Sequence, residues 1–238
     1  MPLAVAGVST FYTADYYRLC LNHLKPKGLV SQWVPLHSLS PALVQSLVRT
    51  FTSVFPEYCA FFVNADLFLI GSDSPLRLDW HAAKERLARP ELSAALTAAG
   101  LPDTTELIGS FLMDKKGLDA FSGNAAVMTD DRPWAEYEAP KLVYTRRVPE
   151  SLALLEPHLS SPLALLEEAS LTPEEKAALE TRHLSRVNDI KALKEYYGGL
   201  TLSDTVMKGF IESLRIDPSN PNARFYLSQI AAVQVEAF

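Results

Sequence analysis

The spacing of apolar positions changes several times over the first part of the chain, and each change predicts an element. From Ala14 to Leu24 the apolar residues recur at helical period, with Thr13 placed to cap the helix and Lys25-Pro26-Lys27-Gly28 to stop it. Leu29 to Leu36 is then a short apolar run of strand length that holds Val30, Trp33 and Val34. Ser40-Pro41 pairs a capping hydroxyl with a proline at the first helical position. Leu43, Val44, Leu47, Val48, Phe51, Val54 and Phe55 then share one helical face until Pro56. Tyr58–Val63 and Asp66–Gly71 are β-rich, and Asn64-Ala65 between them suits a tight antiparallel reversal. A strand that follows one helix and precedes another is the unit of an α/β sheet.

After Ser72 the pattern turns to short helices with mixed faces, the signature of a helical cover on a sheet. Asp79 caps one over WHAAKERLARP, Pro90 opens another that ends at Gly100, Thr104–Met113 predicts a third, and Leu118–Phe121 marks a fourth. Gly123–Pro140 reads as a loop. From Val148 the pattern is helical throughout, which places a domain boundary there and divides the chain into residues 1–147 and 148–238. Thr172-Pro173-Glu174-Glu175 is a capping box that opens a long helix towards Tyr197, broken by Gly198-Gly199. Asp204 begins another helix, with Val206, Met207, Phe210, Ile211 and Leu214 on one face. Asn220 caps the last, which Pro221 opens.

Composition narrows the function classes. A length of 238 residues allows one or two domains with a sizeable core. The net charge of −6 and the pI near 5.4, with no dense Lys/Arg run, argue against nucleic acid as a partner. That acidity suits a cationic ligand, and it suits most cytoplasmic proteins equally well. Cys20 and Cys59 lie among apolar neighbours and read as buried free thiols of a reducing compartment; two such residues make no metal site. No secretory leader is visible, and no stretch approaches the ~20 apolar residues that a membrane span needs, so no membrane contact is expected from these residues.

FYTADYY, LKPKGLVSQWVPLHSLSP, RTFTSVFPEY and DLFLIGS, in that order, resemble the second half of a spermidine synthase-like domain. The variety is the bacterial one in which the domain is fused to membrane-spanning segments, and MTDDRPWAEYEAPK is similar to the segment that follows it there. The resemblance covers roughly residues 2–140 and rests on the order of several weak motifs. It implies an α/β fold: an incomplete Rossmann-like, methyltransferase-type sheet of about three strands, followed by an α-helical extension. The strand at Leu29–Val34 is expected beside the returning strand at Asp66–Gly71, with its other edge bare, open to a homodimer or to an upstream half. It also implies aminopropyl transfer from decarboxylated S-adenosylmethionine, as co-substrate, to a polyamine. The family's glycine-rich turn and catalytic Asp would lie ahead of Met1, and the chain contains no G-x-G. No catalytic residue is therefore expected here, and the chain alone is expected to be inactive. IDPSNPNARFYLSQI resembles a tetratricopeptide-type helical pair, which implies a protein partner for the tail.

Five residues are candidates for substrate binding. Gln32 matches the glutamine that contacts the polyamine in spermidine synthases, and its amide offers an acceptor to an amine at the carboxyl end of a strand. His37, five residues on, can serve as a base, although no carboxylate is adjacent in sequence. Tyr12 lies nearest the expected active-site loop and offers an aromatic face to a cation. Asp130 and Asp131 can neutralise a distal ammonium, against the plainer reading of T-D-D-R-P as a turn. Two other readings stay open: a non-catalytic interaction module, and a methyltransferase-like domain of the same fold.

Overall fold

The computed structural model describes residues 3–37, 39–142, 145, 147–167, 170–200 and 203–236. The helices in chain order are α1 (Ala14–His23), α2 (Pro41–Thr52), α3 (Trp80–Leu87), α4 (Pro90–Ala98), α5 (Thr104–Gly109) and α6 (Lys115–Ser122). They continue with α7 (Trp134–Leu142), α8 (Val148–Leu155), α9 (Pro173–Glu195), α10 (Asp204–Ile216) and α11 (Pro221–Glu236). The strands are β1 (Val30–Pro35), β2 (Glu57–Val63), β3 (Asp66–Ser72) and β4 (Phe111–Met113). Contacts divide the chain into two units, Met1–Leu76 with Leu112–Ser160 and Arg77–Phe111 with Ser161–Phe238. The pattern-based division at Val148 follows the onset of helix, whereas the contacts keep α8 with the sheet and group Arg77–Phe111 with the carboxyl-terminal helices.

The chain is α/β, with one small sheet of four strands in the order β1-β3-β2-β4. The expected sheet of about three strands gains β4, and it is antiparallel from β1 through β3 to β2. The hairpin explains that arrangement. Asn64 and Ala65 both hold positive φ, 51° and 63°, and Val63 pairs with Asp66 across them, which is the two-residue turn matched to the twist of a hairpin. β3 then returns between β2 and β1, with Val34 opposite Leu67 and Val30 opposite Gly71.

Local signals act where the sequence placed them. The Thr13 hydroxyl accepts from Tyr16 N–H at 3.2 Å, Ser40 from Leu43 N–H at 3.3 Å and Asp79 from Ala82 N–H at 2.8 Å. Three expectations fail. α5 stops at Gly109, and the residues after it form β4, which is too short for periodicity to reveal. α6 starts at Lys115 because Asp114 caps it, accepting from Gly117 N–H at 2.8 Å. The loop assigned to Gly123–Pro140 contains most of α7, whose period was masked by Pro133 just ahead of it and Pro140 within its last turn.

The core of the first unit is aromatic. Tyr17 and Phe51 meet edge to face with ring centroids 5.1 Å apart, and Phe51 and Phe55 lie 4.5 Å apart. Gly71 in β3 leaves the space they fill: a Cβ there would stand 2.6 Å from Phe55 Cγ and 2.7 Å from Phe51 Cζ.

The second unit is helical, and α9 carries α5, α10 and α11. The capping box of α9 is reciprocal, with Glu175 N–H donating to Thr172 Oγ1 at 3.2 Å and Thr172 N–H to Glu175 Oε2 at 3.0 Å. Its centre is polar and buried. Arg182 donates to Glu106, Asp217 and Ser219, and Arg186 pairs with Glu106. Burial pushes the Glu106 carboxyl up, and the two guanidiniums oppose that rise. Gly109 makes room for this arginine, since a Cβ there would stand 2.5 Å from Arg182 Cγ. Asn220 caps α11, its Oδ1 accepting from Asn222 and Ala223 N–H at 2.9 and 3.1 Å, while its amide donates to Asp189 and Ser185 of α9.

Gly71→Ala is expected to destabilise the first unit by about 1–3 kcal/mol, because two rings must leave their positions. An unchanged urea midpoint would mean that the rings yield freely. Arg182→Ala is expected to cost about 3–5 kcal/mol, because it leaves Asp217 without its cation and buried Glu106 with Arg186 alone. A loss under 1 kcal/mol in denaturant titration would show those carboxylates to be solvated.

Candidate functional site

The structure brings three of the five candidates to β1. Gln32 is the third residue of the six-residue strand, opposite Leu69, and therefore sits mid-strand and not at its carboxyl end. Its Nε2 donates to the Trp33 carbonyl at 3.2 Å. Tyr12 closes the 3-10 turn Val8–Tyr12 just before α1, is buried, and donates its hydroxyl to the same carbonyl at 2.9 Å. Burial pushes that phenol from its ordinary value of 10 up to about 12, with a side-chain hydrogen bond from Gln32 acting in the opposite direction. It stays a neutral donor across the physiological range.

His37 follows the end of β1 and is largely exposed. The carboxylate missing from its sequence neighbourhood comes from the hairpin. Asp66 Oδ1 stands 3.6 Å from His37 Nδ1 and accepts from Leu36 N–H at 3.3 Å, while Oδ2 accepts from the Trp33 indole N–H at 2.9 Å. The rings of Trp33 and His37 are tilted, with centroids 6.5 Å apart. Asp66 is therefore the residue that sequence reasoning missed. The available signal was the hairpin itself, because a two-residue turn at Asn64-Ala65 starts β3 at Asp66 and lays it opposite Pro35.

Asp130 is engaged elsewhere. It accepts from the Thr13 hydroxyl at 2.7 Å, and its N–H donates to Asp15 at 2.9 Å, beside Ala14 N–H donating to Met128 O at 2.9 Å. These bonds clasp the Met128–Asp130 segment to the N-terminal turn of α1, where the helix dipole also favours carboxylates. Thr129 and Arg132 bridge across Asp130-Asp131, so this stretch is a turn, and Asp131 is exposed. Neither aspartate meets Gln32 or His37 through a hydrogen bond or ion pair among the described residues. Downstream, Glu136 of α7 continues the clasp, accepting from Gly7 N–H at 2.8 Å and from the Ser9 hydroxyl at 2.5 Å.

The arrangement supports hydrogen-bond chemistry towards a cation. With Nε2 spent on the backbone, Gln32 keeps its Oε1 as an acceptor, and His37, with Nδ1 turned to Asp66, keeps Nε2. Among the described residues no group of His, Cys, Asp and Glu side chains has the arrangement to hold a metal ion, and no helix is long and apolar enough to cross a membrane. A cleft of about 280 Å3 lies in the second unit, lined by Arg77, Leu163, Leu166, Leu171 and Lys176, and involves none of the five candidates. No family model, curated protein or solved structure matches the chain.

Tyr12 and Cys59 both contribute to an alkaline limit, since burial also pushes the Cys59 thiol from 9.0 up to about 12. Both folded-state values are raised, so their contribution is complete below the unfolded values and is lost as pH rises from about 9 to 12. The urea midpoint is expected to fall across that window, and Tyr12→Phe is expected to lessen the fall above pH 10 without removing it, because burial also raises the Tyr17, Tyr58 and Tyr226 phenols. A midpoint that stays level up to pH 12 would show both groups ionising freely in the fold.

Proposed function

We propose that these residues are the polyamine side of a spermidine synthase-like domain, whose complete form transfers an aminopropyl group from decarboxylated S-adenosylmethionine to a polyamine. The observation that carries the reading is the place of β3. It runs antiparallel between β1 and β2, which therefore run parallel to each other with α2 crossing between them. That order is compatible with the carboxyl-terminal part of a methyltransferase-type sheet and so supports the reading, and β1 carries Gln32 beside Tyr12, with His37 just beyond its end.

In this reading Gln32 Oε1 accepts a hydrogen bond from the amine, and Trp33 and Tyr12 hold the glutamine in place. His37, steadied by Asp66, offers Nε2 to a proton of the amine. Asp131 faces solvent and is free to meet a distal ammonium, whereas Asp130 is held by Thr13. The residues described here do not fit the nucleoside co-substrate. β1 leads into Pro35 and β3 into Ser72-Asp73, so neither strand opens a glycine-rich turn onto a helix. In this reading the nucleoside is bound by the other half of such a domain, and association with that half is part of the proposal. A cytoplasmic location fits the two free thiols. The second reading, a non-catalytic module that binds a protein through its helical tail, is favoured by one fact: Tyr12 and Gln32 are both engaged by the Trp33 carbonyl.

Titration of the chain with putrescine and spermidine, followed by NMR, is expected to perturb the Gln32 side-chain amide and the His37 ring. Gln32→Ala is expected to weaken amine binding by about 1–3 kcal/mol, roughly five- to a hundredfold. Calorimetry with decarboxylated S-adenosylmethionine is expected to show no binding. Amine titration that leaves Gln32 and His37 unmoved would remove the polyamine reading and leave the interaction module.

A further inference from the structure

The hairpin decides which backbone groups of β1 face the outside of the sheet. Val63 and Asp66 close the two-residue turn as a hydrogen-bonded pair, so Asp66 directs its N–H and C=O to β2, and Leu67 directs its own to β1. By alternation Leu67, Leu69 and Gly71 bond to Val34, Gln32 and Val30. Ser31, Trp33 and Pro35 therefore turn their backbone groups away from β3, and β1 stands at the end of the strand order. An edge of this kind is a template for another strand.

The outward groups of β1 are unevenly available. The Trp33 carbonyl is covered by two donors, the Tyr12 hydroxyl at 2.9 Å and the Gln32 amide at 3.2 Å. Pro35 has no N–H to offer and is buried. Ser31, towards the other end, is exposed. The opposite edge of the sheet is treated alike, since the Leu112 carbonyl of β4 accepts from Ser160 N–H at 2.9 Å and the Asp114 N–H donates to the Ser160 hydroxyl at 3.3 Å. The edge of β1 is thus partly covered, where the resemblance implies a bare one.

We infer that Tyr12 is the gatekeeper of the β1 edge: by occupying the outward Trp33 carbonyl, together with Gln32 and with Pro35 beyond, it prevents a second copy of the chain from adding a strand there. Any incoming strand meets Ser31 and the exposed Leu29 ahead of it, and must expel a buried phenol to extend further. The tyrosine comes from the turn that leads into α1, so its hold on the edge depends on the clasp that Met128 and Asp130 make with Ala14 and Thr13. The upstream half of the proposed domain would join the sheet at this same edge, so its docking also requires Tyr12 to leave the Trp33 carbonyl.

The full chain and its Tyr12→Phe variant, which keeps the ring and loses the hydroxyl, are compared by light scattering over a dilution series and by amide exchange. The wild-type chain is expected to remain monomeric, with Gln32 and Val34 protected and Ser31 exchanging fast at every concentration. The variant is expected to self-associate as concentration rises, with Ser31 becoming protected. Protection of Ser31 that grows with concentration in the wild-type chain would overturn the inference, as would a variant that folds and stays as monomeric as the wild type. Should the variant not fold, the wild-type exchange pattern decides alone.

Discussion

The two-residue turn at Asn64-Ala65 holds both of its residues at positive φ, and three strands take their register from it. Asparagine tolerates that region well; a buried alanine there costs about 1 kcal/mol, so the strand pairing around it must over-determine the turn. Once the turn is closed, β3 must lie antiparallel to β2 and present its other side to β1. The same parity sets Asp66 opposite Pro35, within reach of Trp33, Leu36 and His37, and turns the Trp33 carbonyl outward to meet Tyr12. One tight turn therefore places a carboxylate, an imidazole and an amide around a single strand.

A second constraint is polar and long in sequence. Residues 126–136 return to the start of the first unit and bond to α1, α2 and the turn before them. Met128 N–H donates to the Thr50 hydroxyl at 2.9 Å, the Ser46 hydroxyl donates to the Ala126 carbonyl, and the Trp134 indole N–H donates to Ser46 at 3.1 Å. The first two bonds satisfy backbone atoms of the stretch ahead of α7, and the buried Met128 amide would otherwise be unpaired at a cost of about 1–3 kcal/mol. The pair Asp130-Asp131 divides accordingly: one aspartate caps this clasp and the other remains in solvent.

The second unit solves its packing differently. Charged and amide side chains from α5, α9 and the α10–α11 turn meet in its interior, and each ion taken out of water there has a partner of opposite charge or a hydrogen-bonding amide. Such groups contribute less stability than their number suggests, because desolvation offsets much of the Coulombic gain. The glycines at 109 and 209 belong to the same solution, letting α5 approach Arg182 and α10 approach Ala192 more closely than a Cβ allows.

Local chemistry determined the elements whose signals are local. Thr13, Ser40, Asp79 and the Thr172–Glu175 box read as caps in the sequence because capping needs only a side-chain oxygen within three residues of an amide. The hairpin was legible for a similar reason, since its turn and both strands are contiguous. β4 and α7 were not legible, one because three residues carry no period and the other because one proline precedes it and another sits inside it. The surroundings of the candidate residues belong to tertiary structure alone. Gln32, Tyr12 and His37 were selectable as residue types, but that two of them share the Trp33 carbonyl follows from β1 lying at the sheet edge against the turn before α1. Likewise, Asp66 reaches His37 and Asp130 reaches Thr13 across 29 and 117 positions of sequence. Spacing along a chain carries no record of contacts at such separations, because they arise only when packing brings distant segments together.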